Sequence, residues 1–185
     1  TYLGDQINDF IQKQQGLVLG VCNRFQVLTR TGLLQFGTLG EMHATLASND
    51  SGHFESRMVN LKVEEKNSSV FLKGMSGVIS LHVANGEGNF QAPQRVIEQI
   101  EGEGLVVFRY VDQSGNPTRE YPLNPNNSMH AIAGITDPSG RIFGLMPHPE
   151  RSVRRAQDPN WRRHPDQTPP GLQVFEGMVE YARQM

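Results

Sequence analysis

Apolar residues change their spacing several times along this chain, and each change marks an element. Over residues 1–15, Ile7, Phe10 and Ile11 share one face of a helical pattern with Gln and Asp opposite. Gly16 closes that helix. A short apolar run, Leu17-Val18-Leu19-Gly20, then reads as a strand, and beyond Cys22 the apolar positions move to helical spacing at Phe25, Val27 and Leu28. This second helix ends around Gly32-Leu33-Leu34, residues 36–48 show no clear period, and Asn49-Asp50-Ser51-Gly52 is a turn. Val59, Leu61 and Val63 alternate within a strand over 58–66. Residues 69–73 and 78–83 read as two more strands, and the short links make all three antiparallel neighbours. A helix over 93–101 turns Val96, Ile97 and Ile100 inward, and a strand follows over 105–111. Strands over 131–136 and 141–146 form a hairpin across Asp137-Pro138-Ser139-Gly140. Residues 158–170, rich in Pro and polar side chains, are a surface loop. The last helix, 171–184, is expected to bury Leu172, Phe175, Met178, Val179 and Ala182.

The chemistry concentrates where a strand gives way to a helix. Cys22, the single cysteine, stands at that turn. A side chain there is clear of the backbone, and the unpaired N–H groups at the helix start favour the thiolate, the form that attacks carbonyl carbon. A thiol nucleophile needs a base, and a base needs a partner to fix its tautomer. The second apolar strand, Ile142-Phe143-Gly144-Leu145-Met146, runs into Pro147-His148-Pro149-Glu150, which supplies an imidazole and a carboxylate two residues apart with a stiff proline between them.

Length and composition set the bounds. The 185 residues are enough for one domain with a core, and 37% hydrophobic with 19% charged content suits a globular protein. A formal charge of −2 gives no general basic field, so no nucleic-acid partner is expected. One cysteine forms no internal disulfide. No apolar run approaches a membrane span and no signal peptide pattern is present, so no membrane association is expected and the cytoplasm is the expected location. His43, His53, His82 and His130 show no ligand spacing, so no metal site is expected, and His164 is read as a solvated loop residue. Arg151, Arg154, Arg155, Arg162 and Arg163 form a local basic stretch, either a solvated loop or a surface for an acidic partner.

Five stretches in one order resemble the class I (triad-type) glutamine amidotransferases, and among them the glutaminase components of the phosphoribosylformylglycinamidine synthases of purine synthesis. They are Gly20-Val21-Cys22-Asn23 with Phe25-Gln26, Asn49-Asp50-Ser51-Gly52-His53-Phe54-Glu55-Ser56-Arg57, Gly86-Glu87-Gly88, Pro122-Leu123-Asn124-Pro125-Asn126, and Met146-Pro147-His148-Pro149-Glu150-Arg151. The resemblance implies an α/β, three-layer, flavodoxin-like fold with a mainly parallel sheet plus antiparallel strands. The family places several βα units ahead of the nucleophile strand, so the chain is expected to be a single, N-terminally incomplete amidotransferase domain over 1–185. Catalysis is expected from Cys22, His148 and Glu150, with Asn23 and Gln26 at the oxyanion and substrate, and with Glu55, Arg57 and Glu87 as contacts to substrate or partner. The substrate implied is L-glutamine, hydrolysed through a cysteinyl thioester. Its ammonia would pass to an ATP-dependent synthetase that makes formylglycinamidine ribonucleotide. No phosphate-binding loop occurs in this chain, so no cofactor is expected here, and ATP and Mg belong to the synthetase partner. The chain departs from the family at Arg24, where the elbow usually has glycine, and at Asn85, where histidine is usual. Two alternatives therefore stand beside the leading one: a catalytically weak or inactive assembly module, and another cysteine hydrolase on the same fold.

Overall fold

The computed structural model describes residues 2–163 and 166–185, so the reading of His164 lies outside the described residues. The chain opens with α1 (Tyr2–Asn8), which widens into a π turn at Asp9–Lys13. Then come β1 (Val18–Val21), α2 (Asn23–Arg30) and the short α3 (Leu33–Phe36). The stretch without a clear period supplies β2 (Thr45–Ala47). The long hairpin partners β3 (Glu55–Val63) and β4 (Val78–Asn85) lead to β5 (Asn89–Gln91), α4 (Gln94–Gly102) and β6 (Val106–Tyr110). The chain continues through β7 (Ile132–Thr136) and β8 (Ile142–Leu145) to α5 (Pro170–Ala182).

Six strands form one sheet in the order β1-β8-β7-β6-β3-β4, while β2 and β5 pair separately. Period-two alternation splits the sheet residues between two cores. On one face Phe25, Leu34, Phe90, Ile97, Ile132, Ile135 and Ile142 pack among α2, α3 and α4. On the other, Leu61, Leu81, Val83, Phe108, Phe143 and Leu145 pack against Val174 of α5 and a 3-10 turn at Val70–Leu72. Each fully buried aromatic or aliphatic side chain contributes about 1.5–3 kcal/mol. The helices on both faces give the three layers expected. The sheet curls enough to bring β4, at one end of the order, against the chain leaving β8, next to the other end: His148 N–H, just beyond β8, donates to the His82 carbonyl of β4 at 2.8 Å.

Three expectations need correction. The α/β class and the mixture of strand directions stand, but within the described residues only β1 and β8 pair in parallel; the other ladders are antiparallel, so the sheet is not mainly parallel. The physical reason is connection length, since β7 and β8 are joined by a tight turn and β3 and β4 by a link without a crossover helix. Residues 69–73 are not a strand: Ser69 Oγ accepts from Phe71 N–H at 3.4 Å and starts a 3-10 turn that buries Phe71 and Leu72. A three-residue apolar run has too little period to tell the two apart. The buried face of α5 is also rotated from its apolar stripe. Gly171, Val174 and Gly177 face inward, whereas Val179 is exposed, because the two glycines let the helix backbone approach the main chain at Pro149 and Phe71.

A Cβ at Gly177 would collide with the Phe71 carbonyl oxygen, a backbone atom that cannot rotate away. Gly177→Ala is therefore expected to lower unfolding stability by about 1–3 kcal/mol, the usual range for overpacking, despite alanine's better helix propensity. Urea denaturation checks the sign; a stabilised variant would show that α5 is not seated on this turn.

Candidate active site

The parallel pairing of β1 with β8 puts Val21 opposite Leu145, so the two strands end at the same level and release their next residues at one edge of the sheet. Cys22 follows Val21 and keeps the ladder going, its N–H donating to the Leu145 carbonyl at 2.9 Å. The turn is sharp: Cys22 has φ 53 and ψ −111, a region that a non-glycine residue occupies at a cost of about 1–3 kcal/mol. Helix α2 starts at the next residue, so Asn23 N–H has no carbonyl within the helix to bond. The thiol Sγ lies 3.8 Å from the Ala84 carbonyl of β4 and 3.8 Å from Asn23 Oδ1.

His148 arrives from β8, its main chain tied to His82. Its Nδ1 is 2.5 Å from Glu150 Oε1, a short charge-assisted contact that fixes the ring. Nε2 is buried and bonds no oxygen or nitrogen among the described residues. Since Glu150 occupies Nδ1, Nε2 is the nitrogen left for the thiol. The Cys22 sulfur is the strongest influence raising the His148 pKa above its ordinary value; burial opposes it, and Glu150 reinforces it. An open cleft of about 610 Å³ covers these groups, with Cys22, Asn23, Arg24, Gln26, Glu87, His148 and Glu150 in its walls.

The model of the CobB/CobQ-like glutamine amidotransferase domain matches residues 1–182. The chain belongs to this family. It is 40% identical over 193 residues to the phosphoribosylformylglycinamidine synthase subunit PurQ of Methanococcus maripaludis, covering 97% of this chain and 70% of that protein. The protein of the same name from Dehalococcoides mccartyi is 41% identical over 184 residues, covering 99% and 70%. Among solved structures, PurLQS from Thermotoga maritima superposes with a TM-score of 0.65 at 29% identity, covering 92% of this chain and 64% of that chain. The chain thus spans 70% of the length of these two relatives and 64% of that solved chain.

Within this amidotransferase fold the other expected site residues separate into two groups. Gln26 and Glu87 reach the cleft and meet there: Gln26 Nε2 donates to the Glu87 carbonyl at 2.9 Å and lies 3.2 Å from its carboxylate. Glu55 and Arg57 do not line it. The Glu55 side chain is 2% exposed, accepting from Arg57 Nη2 at 2.5 Å and from Ser51 Oγ at 2.7 Å. Arg24 is exposed and stands among the residues lining the cleft beside Cys22 and Asn23. Among the described residues no group of three or more His, Cys, Asp or Glu is placed to hold a metal ion, and no helix is long and apolar enough to cross a membrane.

Two features went unseen in the sequence. His82, set aside as an isolated histidine, holds the main chain of the base through its carbonyl, while its own Nδ1 accepts from Arg151 Nη1 at 3.2 Å, which leaves Nε2–H to donate to Ser56 Oγ at 3.4 Å. Burial first, then the charges of Arg151 and His148, hold its pKa below the ordinary histidine value. The second feature is a buried amide cluster behind the Gly86-Glu87-Gly88 loop. Asn126 Nδ2 donates to Asn49 Oδ1 and Asn85 Oδ1, both at 2.7 Å, and Asn49 Nδ2 donates to the Asn85 carbonyl at 2.9 Å. Asn49 Oδ1 also accepts from Gly88 N–H at 2.9 Å, and Tyr110 OH donates to Asn126 Oδ1 at 3.0 Å. Burial, and then the charge of Cys22, push the Tyr110 phenol far above its usual range. The only sequence signal was the density of Asn in two turn-like stretches, which by itself says nothing of a shared centre.

Removal of the Glu150 carboxylate takes away a hydrogen bond and a negative charge that favour protonated His148. Glu150→Gln is expected to move the His148 titration to lower pH, and Cys22→Ala to move it in the same direction. Imidazole NMR titration measures both. An unchanged or raised value in either variant would mean the groups are not coupled as the geometry places them.

Proposed function

We propose that this chain is a glutaminase that hydrolyses L-glutamine through a cysteinyl thioester and supplies ammonia to an ATP-dependent synthetase making formylglycinamidine ribonucleotide in purine biosynthesis. The observation that carries the reading is the meeting of Cys22, His148 and Glu150 at one wall of a cleft large enough for an amino acid. The relatives support the choice of pathway.

Cys22 Sγ attacks the carbonyl carbon of the side-chain amide and His148 Nε2 takes the thiol proton. Negative charge collects on the amide oxygen, where the free Asn23 N–H is a donor; one such donor is worth about 3 kcal/mol of barrier. His148 then protonates the amide nitrogen, the C–N bond breaks, and ammonia leaves a γ-glutamyl thioester on Cys22. Water, deprotonated by the same imidazole, attacks the thioester and releases glutamate with the thiol restored. Glu150 orients the imidazole and stabilises its charged form. Gln26, braced against Glu87 in the wall of the cleft, is the side chain offered to the substrate.

Residues 1–185 act as one amidotransferase domain in the cytoplasm. The chain needs no cofactor of its own, and ATP with Mg is used by the synthetase subunit, its partner in assembly. Cys22→Ala is expected to lower glutamine-dependent amination by about 10⁴-fold or more while amination from added ammonium salt continues. A glutamine-like chloroketone should label Cys22 and no other residue. Glutamine-dependent amination that survives Cys22→Ala would refute the proposal.

A further inference from the structure

Gly86 and Glu87 line the cleft and are exposed, and a glycine stands on either side of Glu87. Glycine restricts its backbone least of all residues, so such a tip needs bonds from elsewhere to keep one conformation. Asn49, the first residue of the turn Asn49-Asp50-Ser51-Gly52, supplies them and is only 4% exposed. Its N–H donates to the Gly86 carbonyl at 3.0 Å, and its Oδ1 accepts from Gly88 N–H at 2.9 Å. Its Nδ2 donates to the Asn85 carbonyl at 2.9 Å and to the His53 carbonyl at 3.0 Å. One residue therefore spans the loop, bonding the main chain before and after Glu87.

The backbone also dictates which way each amide of the cluster points. Gly88 N–H can only donate, so Asn49 turns Oδ1 toward it. That oxygen calls for Nδ2 of Asn126, which leaves Asn126 Oδ1 to accept from Tyr110 OH at 3.0 Å and requires Asn85 to offer its own oxygen at 2.7 Å. A flip of Asn49 would set donor against donor, and a flip of Asn126 acceptor against acceptor. The clamp has one arrangement, and the loop follows it. On the cleft side, Gln26 commits its amide nitrogen to Glu87, 2.9 Å from the carbonyl and 3.2 Å from the carboxylate. This leaves Gln26 Oε1, to which no described residue donates, as the acceptor for an N–H of the substrate. A displaced Glu87 would free Gln26 to rotate.

We infer that Asn49, oriented by Asn126 and Tyr110, is a positioning residue for glutamine binding. By clamping the main chain on both sides of Glu87 it fixes the Gln26 side chain, and with it the wall of the cleft that receives the substrate. Contacts from that wall act alike on bound substrate and transition state, so their loss falls on KM and leaves kcat in place. This inference rests on the glutaminase reading and adds a buried residue that sets the affinity of the site.

Steady-state kinetics of the chain assembled with the synthetase subunit tests it. Asn49→Ala is expected to raise the KM for glutamine by about 10-fold or more, with kcat within about 3-fold of wild type. Val63→Ala truncates a buried side chain at the end of β3 away from Asn85; it is expected to lower the melting temperature and leave that KM unchanged. Labelling of Cys22 by the glutamine-like chloroketone is expected to slow by about 10-fold in Asn49→Ala, while iodoacetamide, which has no amino-acid end, reacts within about 2-fold of the wild-type rate. If Asn49→Ala lacks a cooperative melt, Tyr110→Phe, which removes only the hydroxyl that orients Asn126, decides: a KM raised by about 3-fold supports the clamp and an unchanged KM overturns it. The inference is also overturned by a KM within about 2-fold of wild type in Asn49→Ala, by a KM that rises as much in Val63→Ala, or by equal changes in the two labelling rates. A wild-type Cys22 that the chloroketone leaves unlabelled removes the glutaminase reading and this inference with it. A labelled wild type whose rates ignore Asn49→Ala removes the clamp alone.

Discussion

The parallel ladder between β1 and β8 is the constraint from which the site follows. Two strands that run the same way and are paired Val18 with Ile142 through Val21 with Leu145 must deliver their C-terminal residues to the same edge. An antiparallel arrangement of the same strands would send Cys22 and His148 to opposite ends of the sheet. The bond from Cys22 N–H to the Leu145 carbonyl extends that ladder to the nucleophile itself, which helps hold a backbone conformation that an L residue otherwise avoids. Packing secures the arrangement from below. Gly144 has no side chain to separate β8 from Phe25 and Leu34, so α2 and α3 lie directly on the strand.

The curl of the sheet provides the other wall. Core residues on one face pack the strands against α5 and the turn at Val70–Leu72, and β4 comes against the chain leaving β8 where His148 N–H meets the His82 carbonyl. This contact places β4 against the elbow, with the Ala84 carbonyl beside the thiol and Gly86-Glu87 along the cleft. Polar groups are then buried where the strands of the curl end. The amide cluster of Asn49, Asn85 and Asn126 answers that problem by giving the loop's backbone groups partners inside the protein. The same cluster fixes the position of the Gly88 backbone, where a Cβ would lie 2.5 Å from Asn85 Oδ1.

Two charged pairs show how burial assigns different work to similar groups. Glu150 is half exposed and bonded to an imidazole whose other nitrogen bonds no oxygen or nitrogen among the described residues, an arrangement suited to moving a proton. Glu55 is buried and bonded on both oxygens to Ser51 and Arg57, an arrangement that holds still. The first pair belongs to the chemistry in the cleft, and the second stands outside its lining.

The one-dimensional pattern determined most of the local structure: the alternation of Val59, Leu61 and Val63, the stripe of Val96, Ile97 and Ile100, the hairpin across Asp137 to Gly140, and a thiol at a strand-to-helix turn, because each rests on neighbours within a few residues. It also brought Cys22, His148 and Glu150 into one proposal, by matching chemical roles and a familiar order of motifs. Tertiary structure alone decided what depends on distant approach. The inward face of α5 follows from two glycines that carry no hydrophobic signal, and the role of His82 follows from a sheet that closes on itself. The grouping of three asparagines likewise follows from two loops and the end of β4 arriving at one place. Spacing along a chain reports which side chains share a face, but not which faces a curled sheet will bring together.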